Sequence, residues 1–216
     1  MSENRSLEKV FIGISGLIGA GKSTLATMLG EHLGLETYYE PVKDNEYLKD
    51  FYEDMAKYSF PMQIHLLNKR FHQHQMIIWR GKGGVQDRTI YEDTIFARVL
   101  MKSGMMEQRD YETYCSLFEN MSNFMCKPNV IIYLDVKPEI SHTRIQSRGR
   151  DIESGISMEY LQMLYKEYEL FIEDISKTIP VIRVNWNEFK DIEAVAEAIE
   201  REYLNTSFLR QVVKWG

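Results

Sequence analysis

Short apolar runs alternate along the chain with longer segments in which apolar residues recur every three or four positions. The runs predict strands, and the longer segments predict amphipathic helices. The predicted strands are 10–15, 36–39, 84–87, 130–136 and 181–184. The predicted helices are 22–33, 45–58, 60–79, 90–102, 111–125, 139–146, 158–175 and 192–204. Because strands and helices alternate, the pattern predicts an α/β fold with a five-stranded parallel sheet.

The same pattern bears on domain organisation. Two helices follow one another between the third and fourth strands, and Pro61 falls in the first turn of a predicted helix, where its missing N–H does little harm. The chain of 216 residues has no linker-like or repetitive stretch, so we expect a single domain over 1–216. The tail, 205–216, is expected to extend the last helix or to dock on the body, and it carries no evident chemistry.

The segment 16–23, GLIGAGKS, fits the phosphate-binding pattern GxxxxGK[ST] and lies between a predicted strand and a predicted helix. Its glycines let backbone N–H groups converge on phosphate oxygens, Lys22 reaches the β- and γ-phosphates, and the Ser23 hydroxyl can bind Mg²⁺. The predicted nucleotide-binding residues are Gly16, Gly19, Ala20, Gly21, Lys22, Ser23 and Thr24. Switch GTPases, motor ATPases and small-molecule kinases share such a loop, so other residues must identify the acceptor.

Charged residues follow the second and third predicted strands, at the edge where parallel sheets bind ligands. Glu40 can accept a proton from an attacking hydroxyl, and it can equally be a solvated glutamate before a proline. Asp87 can hold Mg²⁺, and Arg88 can hold the acceptor or the transferring phosphoryl group. Asp135 ends a more apolar strand and competes with Asp87 for the metal, and periodicity does not choose between them.

Three arginines, Arg144, Arg148 and Arg150, are close together around a glycine that ends a predicted helix. Arginines on such a segment can close over ATP as a lid and neutralise charge that develops on the γ-phosphoryl group. The alternative is a solvated basic helix end that complements the helix dipole. The lid is favoured because a protein with a phosphate loop must gather cations around the phosphates.

Composition narrows the possible partners and the compartment. Lys and Arg number 26 and Asp and Glu number 32, for a net charge of −6, which disfavours a nucleic acid polymer because that partner needs a broad basic surface. The 2 cysteines form neither a disulfide framework nor a CxxC pair. With no targeting segment at the N-terminus and no apolar run of about 18 residues, we expect a cytoplasmic protein without membrane association.

Taken together, the motifs resemble the deoxyribonucleoside kinase family, most closely its bacterial deoxyadenosine/deoxycytidine kinase branch. The resemblance runs from residue 11 to about residue 204. It rests on the phosphate loop followed by EPV at 40–42, YSFPMQ at 58–63, DRTIYED at 87–93, RGR at 148–150, Glu153 and EYL at 159–161. It implies a three-layer P-loop kinase fold with an arginine-rich lid at about 144–156. The implied enzyme transfers the γ-phosphate of ATP, with Mg²⁺, to the 5′-hydroxyl of a deoxynucleoside in nucleotide salvage.

The resemblance also assigns roles around the reacting groups. Glu40 matches the general base, Arg88 matches a residue that contacts the 5′ side, and Asp87 takes the acidic position near Mg²⁺, which resolves the competition for the metal. The implied catalytic residues are Lys22, Glu40 and Arg88. The implied sugar-binding residues are Tyr52 and Glu153 at the 3′-hydroxyl, with Tyr160 nearby.

Four further residues match the family's nucleobase pocket. Gln63 matches the residue that pairs with the base edge, Arg70 and Asp93 form an ion pair behind it, and Phe96 matches the stacking ring. A carboxamide pairs equally well with the donor and acceptor edge of adenine or of cytosine. In the family an arginine–aspartate pair accompanies purines and cytosine. We therefore expect deoxyadenosine as the best acceptor, deoxycytidine or deoxyguanosine as further ones, and thymidine as a poor one.

Two other functions remain compatible with these motifs. One is a nucleoside monophosphate kinase of the same fold, although a phosphorylated acceptor would be repelled by Glu40. The other is a non-catalytic, nucleotide-sensing subunit, which the presence of Lys22, Glu40 and Arg88 disfavours. The resemblance further implies a homodimer formed through the region 90–125, and we expect feedback by a deoxynucleoside triphosphate.

Overall fold

The computed structural model describes residues 9–40, 45–150, 153, 155–206 and 212–215, with the backbone alone for 206 and 212–215. Part of the EPV motif (41–42), part of the predicted lid (151, 152 and 154) and part of the tail (207–211 and 216) lie outside the described residues. No described helix combines the length and the apolarity needed to span a bilayer.

The strands form one parallel sheet. They are β1 (Phe11–Gly16), β2 (Thr37–Tyr38), β3 (Gly84–Asp87), β4 (Val130–Asp135), β5 (Val181–Asn185) and β6 (Val212–Trp215), in the order β2-β3-β1-β4-β5-β6. All five predicted strands are present, and the predicted parallel α/β fold is confirmed. The tail adds β6, which pairs with β5 in the register Val181↔Val212, so the tail docks on the body by extending the sheet.

Eight helices in the described part of the chain connect these strands. They are α1 (Lys22–Leu33), α2 (Leu48–Glu53), α3 (Met55–Arg80), α4 (Asp93–Lys102), α5 (Gln108–Ser122), α6 (Pro138–Arg148), α7 (Met158–Ile175) and α8 (Ile192–Thr206). As predicted, two helices, α4 and α5, lie between β3 and β4. Contacts sort the eight helices into two groups, α1 with α8 and α2 to α7 with one another, and these groups flank the sheet.

The boundary between α2 and α3 differs from the prediction. The sequence pattern begins the second helix at residue 60, with Pro61 in its first turn, whereas α3 begins at Met55 and contains Pro61 in its interior. The Asp54 side chain caps α3 by accepting the N–H of Lys57 at 3.1 Å. That cap fixes the start of the helix. Because proline has no backbone N–H, α3 lacks one hydrogen bond at Pro61. A single long helix therefore carries both predicted base-pocket residues of this region.

The core lies around the central strands β1 and β4. Ile14, Ile131 and Ile132 are fully buried, because helices cover both faces of a parallel sheet. This burial explains why these strands are continuous apolar runs in the sequence. The strands end together at one edge of the sheet, and the loops that follow them build the site described next.

Candidate active site

A cavity of about 1010 Å³ opens at the carboxyl ends of β1, β2 and β3. Parallel sheets bind ligands at this edge because a crevice forms outside the carboxyl ends of the strands where the strand order reverses. The cavity is lined by these predicted residues: Gly19, Gly21, Lys22, Ser23, Thr24, Glu40, Tyr52, Gln63, Arg70, Arg88, Phe96, Arg144, Arg148, Arg150, Glu153 and Tyr160. The remaining predicted residues, Gly16, Ala20, Asp87 and Asp93, are buried and do not line it.

The phosphate loop joins β1 to the N-terminus of α1. Gly21 caps α1 with a φ of 95°, a left-handed conformation that side chains rarely adopt. A Cβ at Gly19 would lie 2.7 Å from Cγ1 of Ile145, so that position also requires glycine. The Lys22 ammonium donates to the Leu17 carbonyl at 2.7 Å. Burial lowers the pKa of Lys22 to about 8, Arg88 adds to the lowering, and nearby carboxylates oppose it.

Glu40 lies between two guanidinium groups at the centre of the cavity. Its Oε1 accepts from Arg70 at 2.5 Å, and its Oε2 accepts from Nε of Arg88 at 3.1 Å. Burial alone would raise the pKa of Glu40, but Arg88, Arg70 and Lys22 outweigh it and hold the pKa at about 2. The carboxylate is therefore ionised throughout the neutral range.

Arg88 adopts a φ of 67°, in the left-handed region, which costs a non-glycine residue of the order of 1 kcal/mol. Its NH1 donates to the Gly16 carbonyl at 3.0 Å, to Tyr168 at 2.7 Å and to Glu92 at 3.2 Å. Glu92 is fully buried and also accepts the Ser15 hydroxyl. These bonds hold the strained arginine with its Nε directed at the carboxylate of the site.

Glu92 and Tyr168, which support Arg88, are not among the residues predicted from the sequence. Glu92 lies four residues after Arg88, in the motif DRTIYED at 87–93. This spacing is the signal that could have identified Glu92 as a partner of Arg88. Tyr168 has no comparable signal, because its position on α7 matches that of any core residue with helical spacing. Contacts between distant segments bring it to the arginine.

The two candidates for the metal have different environments. The Ser23 hydroxyl donates to Oδ2 of Asp87 at 2.5 Å, and Oδ1 of Asp87 has no partner among the described residues. Asp135 instead accepts from Nε of Arg183 at 2.9 Å and from Tyr165 at 3.2 Å. The geometry therefore favours Asp87, next to the phosphate loop, because the carboxylate of Asp135 is occupied by its neighbours.

Two residues of α3 form a polar wall opposite the phosphate loop. Gln63 and Arg70 are each less than 3% exposed, at 2% and 1%, and they lie two helical turns apart on one face. Arg70 pairs with Asp93 at the start of α4. Within the described part of the chain, Oε1 of Gln63 and Nε of Arg70 have no partner. An unpaired buried acceptor and an unpaired buried donor on one helix face can each pair with polar atoms of a bound ligand.

An aromatic ring of α4, Phe96, lines the same cavity as Gln63 and Arg70. The guanidinium of Arg88 lies 4.9 Å from the ring centroid of Phe96, and Tyr168 packs edge-on against the same ring. Phe96 is buried and lines the cavity, so it is positioned to stack on a planar ligand.

A third group of side chains closes the cavity near α2. Burial raises the pKa of Tyr52, and the nearby Tyr160 and Glu153 contribute in the same direction. Glu153 accepts from Arg150 at 3.2 Å and also from Arg148. The fold thus brings together the three predicted sugar-binding residues, and it connects two lid arginines to one of them.

Arg144 is held on the other side of the phosphate loop. It donates to the carbonyl of Trp186 at 2.8 Å and to that of Asn187 at 3.2 Å. Its guanidinium lies 4.2 Å from the ring centroid of Phe189, a ring that lines the cavity mouth and is 74% exposed. Trp186 and Phe189 are not among the residues predicted from the sequence, because no motif includes them.

Comparison with known proteins gives a consistent result across the chain. A family model described as "Deoxynucleoside kinase" matches residues 12–209. The chain is 57% identical over 210 residues to a deoxyadenosine kinase of Dictyostelium discoideum, which covers 97% of this chain and 86% of the relative. It is 38% identical over 192 residues to a deoxyadenosine/deoxycytidine kinase of Bacillus subtilis, with 88% of each chain covered.

Solved structures with the same architecture include a deoxyadenosine kinase from M. mycoides. With bound dATP that structure superposes with a TM-score of 0.79, and with bound dCTP it superposes with a TM-score of 0.80. Each comparison has 34% sequence identity and covers 91% of this chain and 100% of the other.

Proposed function

Because this chain belongs to the deoxynucleoside kinase family, we propose that it transfers the γ-phosphate of ATP to the 5′-hydroxyl of deoxyadenosine, with deoxycytidine and deoxyguanosine as further acceptors. The observation that carries the proposal is the position of Glu40. This ionised carboxylate lies in the same cavity as the phosphate loop, beside Lys22 and Arg88. A base on one side and phosphate-binding cations on the other are the two requirements of a phosphoryl transfer to a hydroxyl.

The donor phosphates would lie on the loop at the N-terminus of α1. There the backbone N–H groups, the helix dipole and Lys22 attract the β- and γ-phosphates. Arg144, Arg148 and Arg150 serve as a lid over the phosphates in this proposal. The support is that all three guanidinium groups line the cavity from the segment that follows Pro138.

Mg²⁺ fits the oxygen donors beside this loop. Ser23 and Asp87 share a hydrogen bond, and Oδ1 of Asp87 has no partner among the described residues, so hard oxygen ligands are available as Mg²⁺ prefers. We infer that Ser23 would bind the ion directly and Asp87 would hold it or its waters. When bound, the ion would supply positive charge that neutralises the phosphates of ATP.

The acceptor would enter between α2, α3 and α4. Glu40 takes the proton of the 5′-hydroxyl, and Arg88 neutralises charge on the transferring group. Tyr52 and Glu153 hold the 3′-hydroxyl, with Tyr160 against the sugar. A monophosphate acceptor would place its negative charge next to the ionised Glu40, so an uncharged nucleoside suits this site better.

The nucleobase would lie on Phe96 with its polar edge toward α3. Gln63 provides an acceptor and a donor that match the edge of adenine or cytosine. Asp93 balances the charge of Arg70, which would be costly to bury alone. The D. discoideum relative carries the name deoxyadenosine kinase, and this supports adenine as the preferred base.

The decisive test is a panel of the four deoxynucleosides and their four monophosphates, each with ATP and Mg²⁺. We expect deoxyadenosine to have the highest kcat/KM and thymidine the lowest, because the buried charged pair of Arg70 and Asp93 makes a polar wall that disfavours the thymine methyl group. Turnover of monophosphates without turnover of nucleosides would establish the monophosphate kinase instead. Binding without any turnover would establish a nucleotide-sensing subunit.

The base preference should change when the charged pair behind the pocket is removed. In the double variant Arg70→Met/Asp93→Ala, we expect the ratio of kcat/KM for thymidine to that for deoxyadenosine to rise by about tenfold or more. The reason is that an apolar wall admits the thymine methyl group, while the Gln63 amide rotates to match its inverted pattern. Steady-state kinetics with the four nucleosides measure the effect.

A matched control is available on the same helix. Arg80 of α3 forms an exposed ion pair with Glu36, so Arg80→Met/Glu36→Ala removes a similar pair far from the proposed base. The control should keep the wild-type ranking. An unchanged ranking in Arg70→Met/Asp93→Ala would show that the buried pair does not determine base preference.

We further propose that the protein is a homodimer that associates through α3 and α5. An apolar cavity of about 620 Å³ lies between these helices, and Leu117 beside it is 39% exposed. Most of α4 is buried in the core, so α5 rather than α4 carries the free apolar surface of the region 90–125. Apolar surface of this kind favours association over exposure to water.

Light scattering coupled to size-exclusion chromatography tests the dimer at micromolar concentration. We expect a mass of two chains for the wild type and of one chain for Leu117→Asp. As a control, Leu170→Asp introduces the same charge at a leucine of α7 that is 53% exposed, and it should leave the mass unchanged. A monomeric wild type would overturn the proposal.

The proposal also includes feedback by a deoxynucleoside triphosphate and a cytoplasmic location. Feedback is supported by the M. mycoides structures with bound dATP and dCTP. In this chain one continuous cavity includes both the base wall and the phosphate loop, so a triphosphate could occupy both. A cytoplasmic location is supported by Cys115 and Cys126, which are both free, since a reducing compartment preserves thiols.

A further inference from the structure

We propose that Arg70 couples recognition of the nucleobase to catalysis, by holding Glu40 in the empty enzyme and releasing it when a base occupies the pocket. The inference rests on the proposed function and adds to it. In that function Arg70 contributes to base preference alone, whereas here the same side chain also controls the general base.

The geometry of Arg70 is the first step. It is 1% exposed, its NH1 faces Asp93, and its NH2 donates to Oε1 of Glu40 at 2.5 Å. The side chain therefore bridges the base pocket and the carboxylate that faces the 5′-hydroxyl. Its Nε has no partner within the described part of the chain, so a buried donor of the same guanidinium group remains for a ligand.

The charges around Glu40 give the second step. Among the described residues, the titratable or charged groups near it are Lys22 of α1, Tyr52 of α2, Arg70 of α3, Asp87 at the end of β3 and Arg88 directly after it. When ATP binds, its phosphates neutralise the positive charge of Lys22. Arg88 is fixed by its bonds to Gly16, Tyr168 and Glu92. Arg70 is thus the cation whose contact with Glu40 a bound nucleobase can change.

The chemical consequence follows from the strength of that contact. A carboxylate that accepts a short charge-assisted hydrogen bond is a weak base. When an acceptor atom of the nucleobase draws the guanidinium group away from Oε1, the pKa of Glu40 rises and proton transfer from the 5′-hydroxyl becomes easier. Occupation of the base pocket should therefore raise kcat as well as lower KM.

An abasic acceptor separates the two roles of Arg70. The probe is 1,2-dideoxyribose, which keeps the 3′- and 5′-hydroxyls and lacks the base. In the wild type Arg70 keeps its hold on Glu40, so kcat with the probe should be low. In Arg70→Met we expect kcat with the probe to rise about tenfold, while kcat/KM for deoxyadenosine falls. The acid limb of the pH–rate profile with the probe should also shift to higher pH.

If Arg70 contributed only to binding of the base, its loss would not raise kcat with the probe. A kcat with the probe that is no higher in Arg70→Met than in the wild type would overturn the inference. If Asp93 without its partner prevents folding, Arg70→Met/Asp93→Ala replaces that variant, with the same expected gain. Arg80→Met removes an exposed arginine of the same helix and is the control for general effects. It should leave kcat with the probe and kcat/KM for deoxyadenosine unchanged.

The inference and the proposed function can fail separately. A wild-type enzyme that phosphorylates no deoxynucleoside would contradict the proposed function. An enzyme that phosphorylates deoxyadenosine but gains nothing with the abasic probe on loss of Arg70 would contradict the inference and leave the function intact.

Discussion

Glu40→Gln lowers kcat for deoxyadenosine by about 10² or more and changes the dissociation constant for the nucleoside by less than about threefold. The amide keeps the shape of the side chain and cannot take the proton of the 5′-hydroxyl. Because Glu40 carries its negative charge throughout the neutral range, with a pKa of about 2, the loss should appear at every pH between about 5 and 9.

Rapid-quench measurement of a single turnover isolates the chemical step, and calorimetry measures nucleoside binding. Glu36→Gln is the matched control, because Glu36 is an exposed glutamate of the same chain segment that pairs with Arg80. Thermal unfolding of both variants checks that the fold stays stable after the charge between Arg70 and Arg88 is lost. Near-normal turnover in Glu40→Gln would remove Glu40 from the role of general base.

Lys22→Met should lower kcat/KM for ATP by about 10² to 10³. The buried ammonium group donates to the Leu17 carbonyl. In the empty enzyme it therefore lies against the loop that would hold the phosphates. Methionine has a similar length and no charge, and the loop keeps its glycines. The loss therefore reports attraction to the phosphates rather than a change of fold.

The pH dependence of ATP binding gives an independent measure of the same residue. Burial and Arg88 lower the pKa of Lys22 to about 8, so the empty enzyme loses this charge above that pH. Phosphate binding requires the charged form, and the dissociation constant for ATP should therefore rise as pH increases from 8 toward 10. Lys22→Met should lack this dependence.

Lys49→Met is the control for the loss of a lysine, because Lys49 is a largely exposed residue of α2 that forms an ion pair with Glu53. It should leave both kcat/KM and the pH dependence unchanged. Equal ATP affinity in wild type and Lys22→Met across this pH range would contradict the role assigned to Lys22.

Sequence alone determined the family, the parallel α/β fold and most of the residues that line the cavity. The phosphate loop is recognisable because its chemistry depends on consecutive residues, so the pattern at 16–23 carries the complete signal. Glu40 and Arg88 follow strands, and parallel strands end at one edge of a sheet. Their common location therefore follows from the alternation of strands and helices.

Tertiary structure decided which polar groups meet. Periodicity records which residues are buried and gives no information on their polar partners, so it could not show that Tyr168 and Glu92 hold Arg88 or that Asp135 is occupied by Arg183. It also placed the start of α3 at the wrong residue, because the Asp54 cap outweighs the proline signal.

The contact between Arg70 and Glu40 is the clearest example. The two residues are 30 positions apart in the chain and meet at 2.5 Å. Each residue alone matches a position of the family, Arg70 in the nucleobase pocket and Glu40 as the general base. Their contact depends on how α3 packs beside the end of β2, and packing of that kind is decided by long-range contacts that no local pattern in the sequence encodes.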